Sequence, residues 1–375
     1  MIRSAALTVL AAVGGCGEFP AIDSGDSAVP AGVTLDTRTL AATSTKQGYL
    51  NVDVQIGGAE TAFLVTGIGR DASTTVALDS ITSPDGTVVL SAGDWLGGTQ
   101  FLSQAFYALP VGVAQWPIRE QDAALEAGTW KVKFSTYKNY SVGASLPVDV
   151  TTLVKRDDDF AKADVSVRIV WADDVELEPG LQEAMAVAVE RWRTVWANEG
   201  LTLVETYDTS NIDADLGFGW EGDQSIENAA NRGSGHDLQV IVGDYVEGDR
   251  GLYGLSAGIP GSVVPSDHTF VLVSWLVHAG NDGEFSDDET RILGETLAHE
   301  TGHFLGLAHP VEADWQQWDA LTDTTKCTST NECQDALGNN LMFPYPVCSS
   351  WTECDPQGQM TPMQGAVMNR YTGAL

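Results

Sequence analysis

Basic side chains are scarce in this chain. Nineteen Lys and Arg stand against 52 Asp and Glu in 375 residues, a formal charge of −33. A surface of that sign repels a phosphate backbone, which excludes nucleic acid as a partner. Apolar runs of membrane length are lacking as well. The run Ala5–Val13 is too short to span a bilayer stably. Cysteine is sparse and unevenly placed: of five, only Cys16 precedes Cys327. Histidine is equally rare, six in all, yet His299, His303 and His309 crowd into one short stretch.

That stretch reads His299-Glu-Thr-Gly-His303-Phe-Leu-Gly306-Leu-Ala-His309. Residues four apart on a helix share a face, so His299 and His303 can present both imidazoles to one metal ion. Gly306 can adopt a left-handed conformation that ends the helix and turns His309 back toward the same ion. Three neutral nitrogen ligands leave a fourth position for water, the arrangement of a catalytic rather than a structural Zn2+. Glu300, beside the first ligand, is placed to act as general base toward that water. Upstream, Ser286-Asp-Asp-Glu289 is a capping box that starts the helix. Ile292, Leu293, Thr296, Leu297, Phe304 and Leu307 give it apolar positions at helical spacing.

The pattern H-E-x-x-H-x-x-G-x-x-H is the signature of the metzincin metalloproteases, which this chain resembles. The resemblance implies one catalytic Zn2+, a protein or peptide substrate, and a methionine turn beneath the metal. Asn340-Leu-Met342-Phe-Pro344 resembles the matrixin form of that turn, with Met368 as the other candidate. Two residues depart from the matrixin-like pattern or its relatives. Pro310 follows His309 as in serralysins, and Pro344 stands where astacins and serralysins offer a tyrosine ligand, Tyr345 coming one place later. Matrixin-like enzymes often hold structural Ca2+. No run here has the spacing of an EF-hand loop, so Ca2+ is assigned no ligands.

The amino-terminal segment 1–16 has a positive start at Arg3, the short apolar run, and Val13-Gly-Gly-Cys16, which resembles a bacterial lipobox. The expectation is an exported protein, lipidated at Cys16 and so membrane-anchored at the cell surface or in the periplasm, or else secreted. Contact with a membrane is expected only through that lipid. Residues 17–45, rich in Gly, Ser, Asp and Pro, read as a flexible tether.

From 46 to 155 short alternating runs are separated by turn signals such as Asp85-Gly86 and Ala127-Gly128. They include Leu50–Ile56, Ala62–Val65, Thr87–Leu90, Trp130–Phe134 and Pro147–Thr151, and predict an all-β sandwich domain. Residues 156–160 read as a linker, and 161–375 as the zinc metalloprotease domain. There Val165–Trp171, Leu201–Val204, Leu238–Val242 and Phe270–Val273 predict strands. Pro179 and Gly200 bracket a helix with one apolar stripe from Leu181 to Trp196. The fold class expected is an α+β metzincin-like catalytic domain, a twisted mixed sheet with two long helices, preceded by the β-sandwich. Leu252–Pro260 falls where the family has its cleft-edge strand.

Cys327, Cys333, Cys348 and Cys354 point to an oxidising compartment. Four cysteines allow three pairings, of which two local loops are the simplest; a second zinc site is the competing reading, with spacings long for a zinc knuckle. Two functions fit the whole: a zinc endopeptidase with Glu300 as base, or a surface lipoprotein adhesin or binding protein whose metzincin domain holds metal without turnover. An intact Glu300 favours the first. The oligomeric state is left unassigned.

Overall fold

The computed structural model describes residues 33–71, 73–92, 111–139, 141–157, 160–217, 226, 236–264, 269–280, 283–350 and 353–375. Cys16 and the signal segment lie outside the described residues. Nine strands come first: β1 (Thr34–Thr43), β2 (Tyr49–Ile56), β3 (Ala62–Gly69), β4 (Thr74–Thr82), β5 (Val88–Ser91), β6 (Val111–Trp116), β7 (Gly128–Lys138), β8 (Ser141–Val142) and β9 (Pro147–Arg156). They form two antiparallel sheets, β1-β9-β3-β6 and β2-β7-β4-β5, with β8 paired to β7. Strand β2 alternates exposed and buried residues along its whole length, turning Leu50, Val52, Val54 and Ile56 inward. The two sheets meet through Phe63 and Trp116 on one side and Trp130 on the other, with Phe63 and Trp130 in edge-to-face contact at 5.9 Å.

Strand β1 corrects the reach of the flexible tether. Residues 34–43 pair with β9 at every position from Thr34↔Arg156 to Thr43↔Pro147. Leu35, Leu40 and Ala42 supply enough apolar contact with the core to hold an otherwise exposed, threonine-rich edge strand. The polar composition that suggested a tether is that of an edge strand with one face in solvent.

In contrast to β2, strands β3 and β6 are buried on both faces. Their outer face is covered by the second half of the chain. Leu64 is paired with both Gln115 and Leu153, and Ala62 with Lys155, so these side chains share that face. Gln115 donates to Arg370 O and accepts from Thr372 N, and Thr66 meets Ser262 at 2.6 Å between hydroxyls. Lys155, wholly buried, donates to Ala374 O at 2.5 Å and pairs with Asp157 at 2.8 Å. The 156–160 segment therefore leaves from a strand that is itself part of this seam.

The second half opens with β10 (Ala163–Ala172), α1 (Leu181–Ala197), β11 (Leu201–Ser210), β12 (Asp215–Leu216), β13 (Leu238–Gly243), β14 (Tyr245–Val246), β15 (Gly254–Ser256) and β16 (Val271–Ser274). Helices α2 (Trp275–His278) and α3 (Asp287–Phe304), then α4 (Thr330–Leu337), strands β17 (Cys348–Ser350) and β18 (Glu353–Cys354), and α5 (Pro362–Arg370) complete it. The central sheet has the order β11-β10-β13-β16-β15; all neighbours are parallel except β15, which runs antiparallel to β16 at the edge.

Helix α1 buries the predicted stripe Leu181, Met185, Ala188, Val189, Trp192, Val195 and Trp196. It is tied to α3 by Arg191–Glu295 at 2.6 Å, and Arg291 of α3 reaches the same carboxylate and Cys354 O. The capping box at Ser286 and Glu289 is formed in both directions. Almost all of α3 beyond its first turn is buried, so the helix that starts in solvent carries its later residues into the core.

Candidate metal centre

Helix α3 places His299 and His303 one turn apart on one face, as the spacing requires. The helix ends at Phe304, and Gly306 takes φ +108°, a backbone state a side chain would strain. Leu307 N closes back on Gly302 O at 3.0 Å, and the chain then turns so that His309 faces the helix. His309 Nε2 lies 3.1 Å from His303 Nε2 and 3.3 Å from His299 Nε2. Nitrogens about 2.0–2.1 Å from one tetrahedral ion stand roughly 3.3 Å apart. Among the described residues this is the one cluster of His, Cys, Asp and Glu that could hold a metal.

The other ring nitrogens settle which way each imidazole faces. His299 Nδ1 donates to Leu341 O at 2.7 Å, and His303 Nδ1 donates to Leu307 O at 2.6 Å. A carbonyl only accepts, so Nδ1 carries the proton and Nε2 offers its lone pair to the centre. His309 Nδ1 lies 3.0 Å from Glu312 Oε2. Burial, and then the neighbouring His309 ring, hold His299 down at about 3; burial and both other rings hold His303 well below the usual imidazole range. Neutral imidazoles with converging lone pairs fit a zinc ion.

Glu300 is buried beside the three histidines, and desolvation pushes its carboxyl up to about 8. Edge strand β15 approaches it closely: a Cβ on Gly254 would stand 2.7 Å from Glu300 Cγ. Met342 is fully buried, with Sδ 2.9 Å from where a Cβ on Gly302 would lie, between the two helical histidines in sequence. Its turn is braced by Asn340, which accepts from Met342 N and exchanges amide bonds with Gln364 of α5. Met368 lies instead in α5. Tyr345 packs edge-on against Trp315 and Phe343.

The cysteines form the two local loops, Cys327–Cys333 and Cys348–Cys354. The first is buried in a small core with Val311, Leu337 and Phe343, just beyond the third histidine. The second anchors β17–β18, whose Cys354 O accepts from Arg291 of α3. Sequence reasoning did not single out Glu312, Gly254 or the Asn340–Gln364 brace. An acidic residue three places after His309 was visible, but nothing in its spacing showed which way its side chain turns.

No family model and no curated protein matches this chain. Among solved structures, metalloproteinase-II from Bacteroides fragilis aligns at TM-score 0.29 and 13% identity, over 49% of this chain and 60% of its own. Archaemetzincin from Methanopyrus kandleri aligns at TM-score 0.29 and 13% identity, over 56% of this chain and 88% of its own. This chain thus spans under two thirds of the length of the first. Likeness at this level leaves the assignment of the site to its own geometry.

Proposed function

We propose that the chain is a zinc-dependent endopeptidase of metzincin-like, matrixin-like arrangement, carrying a β-sandwich as accessory domain. The observation that carries this reading is the convergence of three Nε2 atoms beside a buried carboxylate, against the strand that ends the sheet among the described residues. His299, His303 and His309 would hold the ion, and Met342 would floor the site. Zinc, when bound, supplies Lewis-acid polarisation and lowers the pKa of water. Glu300 takes the proton of the attacking water and returns it to the leaving amine. Among the described residues strand β15 ends its sheet, and its outer edge suits an extended peptide chain, which would pair with it by main-chain hydrogen bonds. The two disulfides suit export to an oxidising compartment, with Cys16 as the proposed lipid anchor. Among the described residues no helix is long and apolar enough to cross a membrane.

The test joins zinc content to turnover of denatured casein. Wild type should hold about one zinc per chain and cleave. Glu300→Gln should keep the zinc and lose nearly all activity, while His303→Ala should lose both. Zinc without turnover in the wild type would identify a metal-holding binding protein instead.

A further inference from the structure

We propose that Glu312 is the positioning residue of the third metal ligand, and that the hairpin Val311–Trp318 holds it in place against the methionine turn. The inference rests on reading the centre as a zinc site. The two helical ligands are oriented by main-chain carbonyls, Leu341 O for His299 and Leu307 O for His303. His309 lies beyond the helix, with a side chain 21% exposed, and its Nδ1 partner is a side-chain carboxylate, Glu312 Oε2. A carboxylate there fixes the Nδ1–H tautomer, aims Nε2 at the other two ligands, and makes the ring a stronger donor than a carbonyl would.

The main chain that carries this carboxylate is itself held from several sides. Glu312 N donates to Gln317 O, Trp315 N donates to Glu312 O, and Val311 bridges Trp318. Trp315, at φ +61°, stacks on Phe343, the residue after Met342. Trp318 Nε1 donates to Cys327 O, which joins the hairpin to the buried disulfide. A chain of contacts therefore runs from the floor of the site to the ligand that the helix does not carry. Glu312 is 36% exposed, so its contact with His309 contributes little to folding. Its effect should be read in the metal.

The experiment measures zinc affinity of the full chain by competition with a chromophoric chelator, together with the visible absorption of the cobalt-substituted protein. Glu312→Ala should bind zinc about 10–100-fold more weakly and shift the cobalt bands, with the metal-free melting temperature unchanged. Glu312→Gln, whose amide oxygen can accept the same bond without the charge, should recover part of the affinity. The exposed first-turn variant Glu183→Ala should match wild type. Zinc affinity and cobalt bands unchanged in Glu312→Ala would overturn the inference while leaving the zinc reading intact. A metal-free Glu312→Ala protein with a clearly lowered melting temperature would also overturn it, by tracing the loss to packing. A wild-type chain that binds no zinc would sink the zinc reading itself.

Discussion

Gly254 and Glu300 are in such close contact that a single methyl group would not fit between them: a Cβ on the strand residue would stand 2.7 Å from Cγ and 3.1 Å from Oε1 of the carboxylate. The edge strand and the proposed base therefore share one space. Where Glu300 can sit depends on what β15 leaves open.

Gly254→Ala should push Glu300 off its position without touching the ligands. The expected result is normal zinc content with kcat lowered by about 100-fold, as small displacements at a reacting centre cost. Unchanged kcat in this variant would mean that Glu300 has room to spare and that the contact is incidental.

Lys155 ties the β-sheets to the carboxy-terminal segment from within the core. Burial lowers its pKa, while Asp157 works in the opposite direction. Lys155→Ala would leave the Asp157 carboxylate and the Ala374 carbonyl without this partner, which should destabilise the chain by about 3–5 kcal/mol in denaturant unfolding. Lys155→Met, which keeps the volume, should cost no more than that. A loss under about 1 kcal/mol for the alanine variant would show that water replaces the ammonium freely.

Asp319 predicts a pH dependence. Burial pushes its carboxyl up to about 7, against the Thr324 hydroxyl and Leu321 amide that pull it down. Its Oδ2 is buried with no hydrogen-bond partner among the described residues. The folded chain thus holds this proton more tightly than the unfolded one, whose aspartates titrate at about 3.9. The stabilising contribution is complete below about pH 4 and is lost as pH rises through about 7, an amount on the order of 4 kcal/mol. Asp319→Asn imitates the protonated form and should melt higher than wild type at pH 8 but not at pH 4. Parallel melting curves across that range would show that the carboxyl ionises without cost.

Metal removal should be visible in stability as well as in activity. Zinc at about 1,000 times its dissociation constant adds roughly 4 kcal/mol to the folded state, so chelation should lower the melting temperature by several degrees. The shift should vanish in His303→Ala, which lacks a ligand. A melting temperature indifferent to chelator in the wild type would mean that the three imidazoles hold no ion.

Much of this molecule was written in local pattern. The offsets of His299, His303 and His309 put two rings on a helical face, and Gly306 supplied the turn for the third; the observed Nε2 separations follow from helix geometry and one positive φ. The capping box, the stripe of α1, the alternation of β2 and the two local disulfides were legible for the same reason: each is settled by residues near one another in sequence. Tertiary structure decided what depends on distant partners. Residues 34–43 are a strand because β9 lies beside them, whatever their composition suggests. Lys155 is buried because Ala374 and Asp157 meet it there. Gly254 matters because folding brings it against Glu300, and Glu312 because a hairpin pinned to Phe343 turns it toward His309. Spacing along the chain fixes which side chains share a face of one element; only the packing of elements decides which faces meet.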